Sequence, residues 1–180
     1  SYDLDLFTNE ADLVAPFSYR VEQAVQSAGM QVTTVRRFAS FVELQVSQGK
    51  DALKIDLALD SPFRLAPVEL GDSGVMVNDF QDIQADKTLA FFGRAEPRDA
   101  VDLYFLLQET GFEELAELAH QKDAGFDLYW FAIALNRVAN FPDEIERWPI
   151  KMLVDCNPVE LKRSFQSLAM RIMADQTGEA

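Results

Sequence analysis

The opening stretch Tyr2-Asp3-Leu4-Asp5-Leu6-Phe7 alternates apolar and acidic positions, the period of a half-exposed strand. Leu13, Phe17, Val21, Ala24, Val25 and Ala28 then recur at helical spacing through residues 12–28, and Gly29 supplies a stop. Val32, Val35, Phe38, Phe41, Val42, Leu44 and Val46 predict two further strands, ended by the turn sequence Ser47-Gln48-Gly49-Lys50. Residues 53–59 read as another strand, with Ile55, Leu57 and Leu59 on one face and Lys54, Asp56 and Ala58 on the other. Residues 61–72 are rich in turn formers, and a short strand is expected at 75–77.

From Asp79 the texture becomes helical. Helices are expected at 79–92, 96–110, 113–122, 127–138 and 158–174, with Asp79 as a cap, Pro97 in a first turn and Gly111 as a stop. Pro142, Pro149 and Pro158 punctuate the connections, and no repeat or low-complexity linker interrupts the chain. The expected fold class is α+β. A small mixed β-sheet core over residues 1–78 precedes a helical bundle over 79–180, the two halves packing as one unit.

Composition narrows the function. The chain has 180 residues, 48% hydrophobic and 26% charged, enough for a substantial core and incompatible with wholesale disorder. A net charge of −14 disfavours nonspecific grip on polyanions, so any nucleic-acid contact needs a local basic patch. Lys162, Arg163 and Arg171 in the last helix are the basic stretch on offer, read first as a solvated face. A single cysteine, Cys156, forms no internal disulfide and points to a reducing cytoplasm; it reads as a small apolar residue. The single histidine, His120, disfavours zinc chemistry and a histidine-based triad, and its place near a helix end is electrostatic. Phe126, Tyr129, Trp130 and Ile133 read as a helix core face. No apolar run approaches the roughly 20 residues of a membrane helix, and no signal peptide opens the chain. The first residues read as a strand in progress, without a starting Met, so the sequence is expected to begin inside a domain.

Three stretches carry candidate chemistry. In Ser1-Tyr2-Asp3-Leu4-Asp5-Leu6, strand alternation turns Asp3 and Asp5 the same way while Leu4 and Leu6 face the core. Two near carboxylates repel unless a proton or cation relieves them, and a hard divalent ion such as Mg²⁺ suits oxygen ligands. A solvated acidic edge is the plain alternative. In Lys54-Ile55-Asp56-Leu57, Asp56 shares a face with Lys54. Were the two strands neighbours, Asp56 would complete a three-carboxylate cluster suited to phosphoryl or nucleotidyl transfer. In the third stretch Asp82, Asp86 and Leu89 lie about one turn apart, and Lys87 can reach a triphosphate as a point charge. Arg98, Asp99 and Asp102 fall in the first turn of the next helix; with Arg94 they either serve a ligand or simply pin two helices together.

Taken together, these motifs resemble the AbiEii/AbiGii toxin family of the DNA polymerase β-like nucleotidyltransferase superfamily. The matching residues are Ser1, Asp3 and Asp5; Lys54, Ile55 and Asp56; and Asp86-Lys87 through Arg94 to Pro97-Arg98-Asp99 and Asp102-Leu103-Tyr104. Order and spacing agree over roughly the first 110 residues. The resemblance implies a metal-dependent transfer of a nucleoside monophosphate from a nucleoside triphosphate to an RNA, tRNA or protein acceptor. It implies that Asp3, Asp5 and Asp56 hold Mg²⁺ or Mn²⁺, that Asp56 activates the acceptor, and that Ser1, Lys54, Lys87 and Arg98 bind the nucleotide. Lys87 would also act in catalysis. A toxin–antitoxin or phage-defence setting, with an antitoxin partner, follows from the same source. The family also places a Gly-Gly or Gly-Ser phosphate-binding turn upstream of the Asp-x-Asp strand, and no such turn precedes Ser1 here. The alternative expectation is therefore an inactive remnant that serves as a protein-interaction module.

Overall fold

A computed structural model describes residues 3–72 and 74–177. The chain divides into two compact units, Ser1–Phe63 and Arg64–Ala180, each built around its own core. The α+β class expected from the sequence is observed, as a mixed four-stranded sheet followed by helices.

The first unit comprises β1 (Asp3–Thr8), α1 (Val14–Ser27), β2 (Gln31–Arg37), β3 (Phe41–Gln48) and β4 (Asp51–Leu59). Strand order is β1-β4-β3-β2, with β1 parallel to β4 and the other pairs antiparallel. Gly29 and Gly49 take the left-handed backbone (φ +76° and +63°) that lets α1 stop and β3 turn tightly into β4. Val14 and Val25 of α1 join Val42, Leu44, Val46, Ile55 and Leu57 in one core. That core fixes the register, since a one-residue slip would turn these side chains to the opposite face. Leu6 packs against it as expected, but Leu4 does not: it stays 44% exposed. β1 is an edge strand with a neighbour on one side only, which leaves its first residues thinly covered.

The second unit opens with a hairpin, β5 (Glu69–Leu70) and β6 (Met76–Val77), where the expected loop contributes a strand of its own. Helices α2 (Phe80–Arg94), α3 (Pro97–Glu109), α4 (Phe112–Lys122), α5 (Leu128–Arg137) and α6 (Pro158–Thr177) follow. Asp79 caps α2 by accepting from the Gln81 amide at 2.8 Å, and Asp127 caps α5 by accepting from Trp130 at 3.0 Å. The core centres on Phe91, which meets Phe131 and Phe165 edge-on, with ring centroids 5.7 and 5.4 Å apart. Residues 64–78 group with the helices in the second compact unit. Arg64 Nε donates to Asn78, and the Leu65 and Ala66 amides donate to Asp82 of α2. Tyr129 and Trp130 depart from the expected core face. They are 43% and 58% exposed and pack on each other, while Phe131, Ala132 and Leu135 of the same helix are buried.

Candidate active site

Alternation in β1, β3 and β4 sends one set of side chains to the α1 core and the other to the opposite, polar face. On that face the parallel β1/β4 register sets Asp3 beside Lys54 and Asp5 beside Asp56. The antiparallel β3/β4 register adds Gln45 beside Lys54 and Glu43 beside Asp56. The adjacency that the sequence left open is therefore realised: the Asp-x-Asp strand and the Lys-Ile-Asp strand are direct neighbours.

Lys54 Nζ donates to Asp56 Oδ2 at 2.6 Å. That hydrogen bond, opposed by burial and reinforced by the charges of Asp56, Asp3 and Asp5, raises the Lys54 ammonium above its ordinary pKa. The other oxygen, Asp56 Oδ1, is buried and has no hydrogen-bond partner. A buried carboxylate oxygen left unpaired is costly, and such groups concentrate where a ligand completes them. Asp3 and Asp5 remain exposed. Among the described residues no group of three or more His, Cys, Asp or Glu side chains is gathered so that it could hold a metal ion. The acidic groups on this face offer oxygen, the ligand type a hard divalent cation prefers, but they are not brought together as a closed set, and Asp56 Oδ1 is left without a partner. Ser1 lies outside the described residues.

In the second unit, Lys87 Nζ donates to Asp102 Oδ2 at 2.7 Å, with both side chains well exposed. Asp102 sits beyond the first turn of α3, not within it as expected; Asp99 is the acidic residue there. Asp99 is 2% exposed and accepts from Arg94 Nε and Nη2, both at 2.7 Å, and from the Glu96 amide at 3.2 Å. Burial would raise its pKa, but these hydrogen bonds and the Arg94 charge outweigh burial and hold it below the carboxylate range. Arg94 and Asp99 thus pin the α2–α3 elbow, where Ala95 takes a left-handed φ of +49°. Arg98 keeps an exposed side chain, 3.9 Å from Asp99.

Asp82 is fully buried and receives Lys122 Nζ at 2.7 Å together with the Leu65 and Ala66 amides. Burial pushes its pKa up, yet the bonds from Lys122, Ala66 and Leu65 win and the carboxyl is held low. Asp86 takes the same Lys122 ammonium at 2.8 Å. Of the remaining candidates, His120 is exposed in the last turn of α4. Cys156 is half-buried, and burial followed by the Glu160 charge raises its thiol pKa, which opposes thiolate chemistry. Lys162 is bound to Asp143 at 2.7 Å and Arg171 to Glu113 at 3.0 Å, so two of the three basic residues of α6 are engaged within the unit.

Sequence reasoning missed Glu43, Arg36 and Lys122. The alternation Phe41-Val42-Glu43-Leu44-Gln45 did carry a signal for Glu43, which stands on the polar face next to Asp56. Lys122 carried none, because its partners lie 40 and 36 residues earlier in the chain.

No helix among the described residues is long and apolar enough to cross a membrane. Residues 3–168 match the family model described as nucleotidyl transferase AbiEii toxin, type IV TA system. No curated protein and no solved structure matches the chain.

Proposed function

The chain belongs to the AbiEii family of nucleotidyl transferase toxins of type IV toxin–antitoxin systems, and from that premise we propose that it transfers a nucleoside monophosphate from a nucleoside triphosphate to an acceptor hydroxyl. The observation that carries this reading is the row Asp5–Asp56 on neighbouring parallel strands, with Asp56 Oδ1 buried and unpaired. Asp3, Asp5 and Asp56 would hold Mg²⁺ or Mn²⁺. When bound, the ion would supply charge stabilisation for the transferring phosphoryl group.

The chain's own groups do the rest. Asp56 Oδ1 accepts the proton of the acceptor hydroxyl as its oxygen attacks the α-phosphorus. One P–O bond forms, the bond to the β-phosphate breaks, and pyrophosphate leaves. Lys54 holds Asp56 in place through Oδ2 and leaves Oδ1 to react. Lys87 and Arg98, the nucleotide-binding residues that the family resemblance implies, are both exposed within the second unit, and the Lys87–Asp102 contact is a surface pair that a polyphosphate can replace. An RNA, tRNA or protein acceptor, an antitoxin partner and a cytoplasmic setting belong to the same reading.

A second reading, an interaction module without catalysis, is favoured by one fact: the Lys54 ammonium already neutralises Asp56. Calorimetric titration of each of the four triphosphates, with and without Mg²⁺, separates the two. The transferase reading expects binding that requires the ion and is lost in the Asp3→Ala/Asp5→Ala variant. Binding indifferent to both would overturn it and leave the interaction module.

A further inference from the structure

The polar face of the sheet carries a second row, two residues along each strand from Asp5 and Asp56. Register places Phe7 beside Ala58 and Ala58 beside Phe41. Just past the end of β2, the Phe38 amide donates to the Phe41 carbonyl at 2.7 Å, so Phe38 closes the row. Alternation fixes the face, because Leu6, Leu57 and Val42, one residue away on each strand, pack in or against the α1 core. Three of the four positions in the row are phenylalanines. Phe7 and Phe38 are 55% and 62% exposed, and Phe41 is half-buried. Among the described residues no other aromatic ring packs on any of the three. A contiguous apolar row left open beside a polar one marks a place of binding.

Strand β2 shapes one end of the row. Its register with β3 runs to Thr34↔Leu44 and resumes at Arg36↔Glu43, which leaves Val35 as the extra residue of a β-bulge. Arg37 turns to the α1 side and bonds Ser18 Oγ at 2.9 Å. Arg36 turns to the polar face, donates from Nε to Glu43 at 2.8 Å, and lies over the Phe41 ring at 5.4 Å. Arg36 thus comes to Phe41 from β2, while Ala58 lies on the other side, towards β4.

The gap between Phe7 and Phe41 has the width of one flat ring. β1 and β3 flank β4, about 9.6 Å apart, and only the Ala58 methyl stands between the two rings' strands. Stacked rings hold their centroids about 4.5–7 Å apart, so a ring seated over Ala58 meets Phe7 on one side and Phe41 on the other. Along the strands the row lies about 6.6 Å from Asp5 and Asp56, the reach of one ribose between a base and its α-phosphate. A chain of a nucleotidyl transferase family has to hold a nucleotide, and its base is the flat, uncharged part that such a slot accepts.

We infer that Phe7, Ala58 and Phe41 form a slot for the nucleobase of the triphosphate substrate, with Phe38 extending its apolar wall. The identity of the ligand rests on the nucleotidyl-transfer reading above; no ion takes part in the stacking. Every base has a stacking face, so the slot takes all four, purines more tightly than pyrimidines.

The test is NMR titration of the full chain, labelled at phenylalanine, with the uncharged nucleosides adenosine and cytidine and with tripolyphosphate, the urea midpoint being recorded for each variant. Adenosine is expected to move the Phe7 and Phe41 ring signals upfield. Phe7→Leu, which removes one wall, and Ala58→Leu, which fills the slot, should each weaken adenosine binding by about five- to fiftyfold. Phe7→Leu lies at an exposed edge and decides the matter where Ala58→Leu does not fold. Phe17→Leu, on exposed α1 across the sheet, should change nothing, and tripolyphosphate should bind the Phe7→Leu chain as it binds the parent. The inference is overturned if adenosine leaves both rings unmoved, or if Phe7→Leu binds as tightly as Phe17→Leu. Ring signals that shift with protein concentration instead would assign the row to a contact between copies of the chain, and overturn it too. Nucleoside binding at the slot in a chain that transfers nothing keeps the slot and removes the transfer reading. Turnover that depends on Asp56 but is indifferent to Phe7 and Ala58 removes only the slot.

Discussion

In the helical unit Asp82 and Asp99 are the most deeply buried carboxylates, and each is saturated with donors. Asp82 holds a lysine and two backbone amides, and Asp99 an arginine fork and one amide. In the sheet unit Asp56 is also largely covered, yet it has one ion-paired oxygen and one without a partner. All three belong to acidic stretches that look alike in the sequence. The difference separates their work. A buried carboxylate whose lone pairs are all used stabilises the fold, and nothing else can bind to it. One left half-used adds less stability and keeps a place for a ligand.

The contrast can be broken most sharply at Asp82. Asp82→Ala would leave Lys122 with the exposed Asp86 alone and strip two buried backbone amides of their acceptor, and should destabilise the helical unit by about 2–4 kcal/mol in urea unfolding. A loss below about 1 kcal/mol would mean that the saturated network is not structural. Leu57→Ala probes the other side of β4, where Leu57 is 3% exposed in the sheet core. It should cost about 2–5 kcal/mol by the same measurement.

The contrast also has a sign in pH. Asp82 and Asp99 have lowered pKa values, so their stabilisation is present above the unfolded carboxylate range near pH 4 and is lost as pH falls through the depressed values. Lys54 has a raised pKa, so its contribution is present below the unfolded value near 10.5 and is lost as pH rises past it. Amide hydrogen exchange should therefore show acid loosening α2–α4 before the sheet, and strong alkali loosening β1 and β4 first. The reverse order would contradict the assignment of these partners. The smallest effect is expected at Asp56. Asp56→Asn should change stability by no more than about 1 kcal/mol, since Oδ1 has no hydrogen bond to lose and the Lys54 pair is partly solvated. Turnover, by contrast, should fall by about 10²–10⁴ as the proton acceptor is removed. Normal turnover by this variant would exclude Asp56 from the chemistry.

Much of the fold was legible because local periods decide local structure. Asp3–Phe7 and residues 53–59 alternate too cleanly to be anything but strands, and Asp79, Pro97 and Asp127 mark helix starts by capping chemistry that needs no distant partner. The same alternation put Asp3 and Asp5 on one face and Lys54 with Asp56 on another strand's matching face. The errors lie where burial depends on what another element covers: Leu4 on an edge strand, and Tyr129 and Trp130 on the outer side of α5.

What the amino-acid sequence determined by itself was therefore the set of elements, their capping and turns, and which residues along each strand share a face. All of these follow from backbone sterics and side-chain period. The tertiary structure alone decided which faces meet. It set β1 beside β4 so that Asp5 registers with Asp56, inserted Val35 so that Arg36 answers Glu43, and carried Lys122 back to Asp82. Charges act through space, not along the chain. Asp82 became a strut through partners brought from 16 to 40 residues away. Asp99 and Asp56 take theirs from within five residues, and what still differs between those two is how many of their oxygens the fold covers and fills.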